Sequence, residues 1–261
     1  MSKKARVIAI ANQKGGVGKT TTAINLSSAL SFFKRRVLLI DMDPQGNSAR
    51  GYGVDIALAE KTTFEVLSGS ASIRQAIVDS SIEGVSLLPS NLRLAALEAS
   101  LVSSPREDAF FLLSKAIEPV LGEYDYVIVD CPPSLGALSL NALTCSDSVI
   151  IPVQCEYFAM EAVGAILSSI SNVQRRLNPK LKIEGFLLTM YDARTQLGNE
   201  ISSEVRSLFK ENTFLTQIPR NQSIVDSQAS QTPVTAFKPS SQGAAAYFSL
   251  ARELLDRERG N

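Results

Sequence analysis

Lys14-Gly15-Gly16-Val17-Gly18-Lys19-Thr20-Thr21 follows the short apolar run Val7 to Ala11 and precedes a stretch of helical periodicity, Ser27 to Phe33. A glycine-rich turn between a strand and a helix can converge its backbone N–H groups on an oxyanion, and the helix that follows directs its positive end at the same point. In that frame Lys19 is placed to neutralise β and γ phosphates, and the Thr20 hydroxyl to ligate magnesium. The standard phosphate loop has a glycine five residues before Gly18, and Gln13 stands there instead. An additional lysine, Lys14, follows. In a tight loop Lys14 and Lys19 cannot easily reach the same phosphates, so Lys14 is available to the nucleotide of a second subunit, in the manner of an arginine finger. A rival reading is the dinucleotide fingerprint GxGxxG starting at Gly16, with Asp41 or Asp43 as the ribose acid. Thr21 stands where its third glycine should be, and Lys19-Thr20 would have no role.

Working outward, the apolar runs Val7 to Ala11, Val37 to Ile40, Val85 to Leu88, Tyr126 to Val129, Val149 to Val153 and Ile183 to Leu188 read as strands buried on both faces. Between and after them, Ser27 to Phe33, Leu92 to Leu101, Phe110 to Leu121, Ala162 to Leu177, Ile201 to Phe209 and Ala244 to Leu255 carry apolar residues at helical spacing. The alternation predicts an α/β fold of the phosphate-loop NTPase type, a single domain over residues 1–261 with a mostly parallel twisted sheet and helices on both faces. Ser223 to Gln231 is the least regular stretch, a loop or a short helix. Ligands of such sheets sit beyond the carboxyl ends of the strands. That singles out Asn12 to Thr21, Asp41 to Asn47, Asp130 to Pro133, Gln154 to Tyr157 and Thr189 to Arg194.

The 261 residues carry 26 basic and 26 acidic side chains, so no global positive field draws the chain to nucleic acid, and such binding needs a local patch. There is no histidine, which removes a histidine base, a Ser-His triad and histidine-ligated metals. Cys131, Cys145 and Cys155 lack a CxxC spacing and read as reduced, buried thiols of a cytosolic protein. Nothing after Lys3, Lys4 and Arg6 has the length of a signal peptide, and no apolar run is long enough to span a bilayer, so a soluble protein is expected.

The stretches KGGVGKTTT, VLLIDMDPQGN, YDYVIVDCPPS and PVQCEYFAMEAV resemble the ParA/Soj partitioning ATPases, of the deviant Walker A class. The likeness runs over nearly the whole chain, to Ile218-Pro219-Arg220-Asn221. MinD and the nitrogenase iron protein share the first motif, whereas DPQGN and QCEYFAME favour ParA/Soj. The resemblance implies an ATPase using ATP and Mg2+, with slow, partner-stimulated hydrolysis. It makes Lys14 the signature lysine that crosses an ATP-sandwiched homodimer, alongside Lys19. It makes Asp43 the acid that positions the attacking water and also meets magnesium through water, with Asp43 to Asn47 as switch I and Asp41 as a second choice near magnesium. It makes Asp130 the acid holding a magnesium-bound water, with Cys131-Pro132-Pro133 as switch II. On the residues alone, either acid could equally end a strand in solvent. Pro219, Arg220, Asn221 and Met190 resemble the family's adenine-side segment, although a Pro-Arg pair is also a plain turn.

The same resemblance implies non-specific DNA binding by the dimer and a ParB-like, DNA-bound partner that stimulates hydrolysis, in the cytoplasm and at the nucleoid. Arg194, Arg206, Lys210, Arg220 and Lys238 are the candidate DNA contacts. The family's usual basic residues are missing at Ser223 and in Lys238 to Gly243. A MinD-like membrane role is the alternative, and would need a terminal amphipathic helix with a basic face. Ala244 to Arg259 mixes both charges on its polar side, which favours packing on the sheet. A shared iron–sulfur cluster would need two placed cysteine ligands per subunit.

Overall fold

In the computed structural model, residues 4–103, 108–156 and 159–259 are described, so Lys3 and the Tyr157-Phe158 pair of the QCEYFAME stretch lie outside them. The seven strands are β1 Arg6–Ile10, β2 Val37–Asp41, β3 Val78–Asp79, β4 Val85–Leu88, β5 Tyr126–Asp130, β6 Ser148–Gln154 and β7 Lys182–Thr189. They form one sheet in the order β3-β4-β2-β5-β1-β6-β7. Every pairing is parallel except the short β3 against β4.

The apolar runs are continuous because both faces are covered. On β1, Val7 and Ala9, with Ala11 just beyond it, face one core and Ile8 and Ile10 the other. The helices are α1 Lys19–Phe32, α2 Asn47–Arg50, α3 Thr63–Ser68, α4 Ile73–Ala76, α5 Arg93–Ser103, α6 Leu112–Ile117, α7 Ala137–Cys145, α8 Ala159–Arg176, α9 Gln196–Phe209, α10 Gln222–Ala229, α11 Val234–Phe237 and α12 Gln242–Arg259. Residues of α5 to α9 pack on the first face, and those of α1, α2 and α10 to α12 on the second.

The six expected strands are present with ends shifted by a residue at most, and the six expected helices are present with longer or trimmed ends. Three kinds of element were not expected. β3 is two residues long, too short to carry a period. α7 is buried on nearly every side, so Leu138 and Asn141 to Leu143 show no amphipathic stripe. α2, α3, α4 and α11 are single turns, although the Thr62–Glu65 capping box of α3 is a sequence-level start signal.

Strand order sets the site. From β1 the chain crosses through α1 to β2 on one side, while β6 and β7 lie on the other, so the crevice beyond β1 is a topological switch point. The fold therefore brings the carboxyl ends of β2, β5, β1, β6 and β7 to one rim.

A phosphate loop and two acid strand ends

The turn after β1 is pinned from both sides. Asn12 donates to Pro152 O at 2.7 Å and accepts from Lys14 N at 3.0 Å, while Thr189 Oγ1 at the end of β7 donates to Val17 O at 2.9 Å. Gly16 and Gly18 take φ of 76° and 87°, the left-handed region that a Cβ disfavours, and a Cβ at Gly15 or Gly16 would meet nothing within 4 Å. Gly18 caps α1 without a side-chain bond, and no acid stands in the first turn. The orphan N–H groups of α1 therefore lack a side-chain partner beside an open glycine turn, an arrangement suited to phosphate.

Lys19 is buried at 6% exposure and its Nζ donates to Lys14 O at 3.1 Å. Burial lowers its pKa from the ordinary ammonium value, against Asp130, Cys131 and Asp43, which favour the charged form. Lys14 is half-buried and, among the described residues, makes no ion pair.

Asp41 and Asp130 face each other in register at the ends of β2 and β5, both fully buried. Two carboxylates out of water and side by side favour a proton between them. Burial raises Asp41 well above the usual carboxylate range, and the Asp130 charge adds to it. Burial likewise pushes Asp130 up to about 6, opposed by the Thr20 and Ser48 hydroxyls and Lys19 and reinforced by Asp43.

Ser48 joins the pair, with its N–H donating to Asp41 at 2.9 Å and its hydroxyl to Asp130 Oδ2 at 2.8 Å. Among the described residues Asp130 Oδ1 is buried with no hydrogen bond by distance, and the Thr20 hydroxyl and Lys19 are near enough to Asp130 to favour its charge. An unsatisfied buried oxygen costs about 1–3 kcal/mol, so it marks a place for a cation or its water. Among the described residues no group of three or more His, Cys, Asp or Glu could hold a metal by itself. That suits magnesium, which keeps its waters and takes few protein ligands beside phosphates. Thr20 and Asp130 are the residues that would hold it.

Asp43 lies two residues past the end of β2, its N–H bonded to Asp41 and its carboxylate accepting from Gln45 N at 3.0 Å. Gly46 closes that turn at φ 66°, where a Cβ would stand 2.6 Å from Ser90 O. Sequence reasoning missed Ser48, and it placed Asn12 and Thr189 in strand-end segments without giving either a role, because a lone hydroxyl or amide carries no pattern until the strands assemble. It also missed Glu98 on α5, which accepts from Leu138 N at the start of α7, just after the switch II residues.

Met190 takes φ 50°, rare for a long side chain. The turn it makes brings Tyr191 N to Ile218 O at 3.0 Å and Arg220 N to Tyr191 O at 3.0 Å. Met190, Pro219, Arg220 and Asn221 are thereby gathered beside the loop, and Asn221 caps α10 through Ser223 N. The irregular Ser223 to Gln231 stretch is mostly this helix.

The five cations proposed for DNA do not converge. Arg194 is clamped by both oxygens of Asp192, at 2.9 and 2.7 Å, and Arg220 lies 3.4 Å from Glu156. Arg206 spends its guanidinium on Phe214 O and Leu215 O, and Lys210 follows the far end of α9, a helix about 21 Å long. Lys238 ends α11 elsewhere on the surface. The expected single basic surface reduces to Arg194 and Arg220, because α9 carries the other two to the opposite end of the sheet.

The cysteines are free and burial raises each, Cys145 to about 12 and Cys155 to about 11, as inert apolar groups. The apolar side of α12, including Tyr247, Leu250, Leu254 and Leu255, is buried on the sheet. Among the described residues no helix is long and apolar enough to cross a membrane.

A strand, a glycine turn and a helix that begins with buried Lys19 and half-buried Thr20, flanked by acid strand ends, define a phosphate-loop nucleotide-binding protein. The family model described as an AAA domain matches residues 5–183. The sporulation initiation inhibitor protein Soj of Bacillus subtilis is 44% identical over 95% of this chain and 98% of its own length. The chromosome partitioning protein ParA of Myxococcus xanthus is 42% identical over 97% of this chain and 89% of its own. A solved Mycobacterium smegmatis protein, described as cobyrinic acid a,c-diamide synthase with bound ATP analog and magnesium, superposes with a TM-score of 0.86. It is 40% identical and covers 98% of this chain and 97% of its own. The chain belongs to the ParA/Soj family.

Proposed function

We propose that this protein is a partitioning ATPase that binds ATP with magnesium, closes into a homodimer around it and engages DNA non-specifically as the dimer. A ParB-like partner stimulates slow hydrolysis and release, to move a chromosome or plasmid at the nucleoid. What carries the nucleotide part is the start of α1, without a side-chain cap and with buried Lys19 as its first residue, facing the Asp130 strand end whose Oδ1 has no hydrogen bond among the described residues. Relatives named Soj and ParA support the partitioning part, and the diamide synthase description stays with the mycobacterial protein.

Lys19 and the α1 N–H groups bind the phosphates, Met190 and Pro219 to Asn221 flank the adenine, and Gly15 to Thr21 wrap the triphosphate. Thr20 and Asp130, with Asp43 through water, would hold magnesium, which would supply charge neutralisation for the phosphates. Asp43, on a turn held by Asp41 and Gly46, orients water. Lys14, free of acid partners, reaches the other subunit's nucleotide. Arg194 and Arg220, on the same rim, are the DNA contacts best placed to be doubled by dimerisation, with the salt dependence that phosphate contacts impose. The membrane alternative loses its helix, since α12 spends its apolar side on the core.

Light scattering tests the sandwich. Asp43→Ala with Mg-ATP should be dimeric with ATP uncleaved, and Lys14→Ala should bind ATP yet stay monomeric. A monomer in the first case overturns the model. Gel shifts over a salt series should show DNA retained with ATP and released with ADP.

A further inference from the structure

α10 and α11 are stitched to the phosphate-loop helix along one stripe. Gln228 Nε2 donates to Thr21 Oγ1 at 2.7 Å, Val234 N to Asn25 Oδ1 at 2.7 Å, and Thr235 Oγ1 to Ser28 Oγ at 2.7 Å. Asn25 Nδ2 in turn donates to Thr21 O at 2.8 Å. Residues 21, 25 and 28 are four and three apart, one face of α1. The two lower links are buried and hold the segment in place. The upper one is not buried and sits where α1 opens toward the phosphates.

A threonine hydroxyl has one proton and two lone pairs. An amide N–H entering one lone pair settles the direction of the proton, which must then be given elsewhere. We propose that Gln228 is a positioning residue for the nucleotide, holding the Thr21 hydroxyl as a donor toward the phosphates of a nucleoside triphosphate. The inference rests on the nucleotide reading above and adds to it a residue 207 positions away in sequence. The segment that carries Gln228 is the one capped by Asn221, so the adenine-side turn and the phosphate-side hydroxyl are set by the two ends of a single short helix. A bond this exposed adds little to folding, whereas a pre-aimed hydroxyl acts on every bound phosphate.

Calorimetry with magnesium and a non-hydrolysable ATP analogue tests it, on wild type, Gln228→Leu, Gln228→Glu, Thr21→Val and the Thr21→Val, Gln228→Leu double variant. Gln228→Leu should weaken affinity by about fivefold, near 1 kcal/mol, and by nothing further once Thr21 is valine. Gln228→Glu, which only accepts and draws the Thr21 proton to itself, should be weaker than Gln228→Leu. Melting without nucleotide should stay within about 2 °C of wild type, since a surface change costs little. Equal affinity of wild type and Gln228→Leu, or an undiminished loss in the Thr21→Val background, overturns the inference while leaving the nucleotide reading intact. No heat from wild type overturns the nucleotide reading itself.

Discussion

The two ends of the sheet are built on opposite electrostatic rules. At the amino end, where β1, β5 and β7 begin, charges are matched. Arg6 pairs with Glu184, and Tyr126 donates to Glu258. Arg257 meets Glu253 at 2.8 Å and also serves Glu184 O and Thr213 O. Burial alone would raise Glu253, yet the N–H groups of Thr216 and Leu215 and Arg257 hold it below its usual value. At the carboxyl end the groups are left in conflict. Asp41 presses on Asp130, an Asp130 oxygen has no partner, Lys19 makes do with a carbonyl and Met190 holds a strained backbone. A cavity of about 1480 Å³ lies along the matched end, lined by Arg6, Lys182, Glu253 and Arg257 among others. A roomy cavity by itself therefore does not point to the chemistry, and unresolved charge does.

Substitutions can break that contrast. Lys19→Ala should produce the largest change, a loss of Mg-ATP affinity of about 100-fold or more, near 3 kcal/mol, read by calorimetry. It should leave the melting temperature unchanged or raised, because a buried cation without phosphate is a cost. Asp130→Asn comes next and sharpens the comparison by pH. Asp130 is raised to about 6 from 3.8, so the folded state holds the proton more tightly than the unfolded one. Its ionisation destabilises the nucleotide-free protein as pH rises from 3.8 through about 6, and below 3.8 the penalty is gone. Asparagine should therefore stabilise the apo protein at pH 7 by on the order of 2 kcal/mol, with the gain vanishing near pH 4, in denaturant titrations. A pH-independent difference would mean that the paired acids are not in conflict.

Arg257→Ala tests the matched end and should have the smallest effect on function. Its loss takes the ion-pair partner from Glu253, which keeps the Leu215 and Thr216 N–H groups, and a donor from two carbonyls, so stability should fall by about 1–2 kcal/mol. Nucleotide affinity should stay within about twofold, the expectation for distant sites. A tenfold loss of affinity would show that the two ends are coupled.

Much of this was legible before any coordinates. The strands declare themselves because a parallel sheet buried on both faces needs unbroken apolar runs, and the phosphate loop because only glycine accepts the φ of Gly16 and Gly18. Asp130 ends its strand as the apolar run predicts, whereas the roles of Asp43 and Asp130 rest on the family resemblance. Less legible were the elements without a period, such as α7, whose helix is buried nearly all round, and the single-turn helices. The DNA-facing cations show a different limit. Arg194 and Lys210 look close in sequence, yet a helix of 14 residues stands between them, and Arg206 is committed to backbone carbonyls.

By itself the order of residues determined the α/β class, the phosphate loop and the identity of its lysines and acids, since each is a local matter of periodicity, glycine conformation and spacing. Only tertiary structure decided which groups share a proton, a lone pair or a vacant valence. Ser48 lies between Asp41 and Asp130, Thr189 fastens Val17, and Gln228 meets Thr21. These pairings join strands and helices far apart in the chain, and a hydrogen bond needs its two atoms within about 3 Å, a condition that folding meets and sequence spacing cannot express.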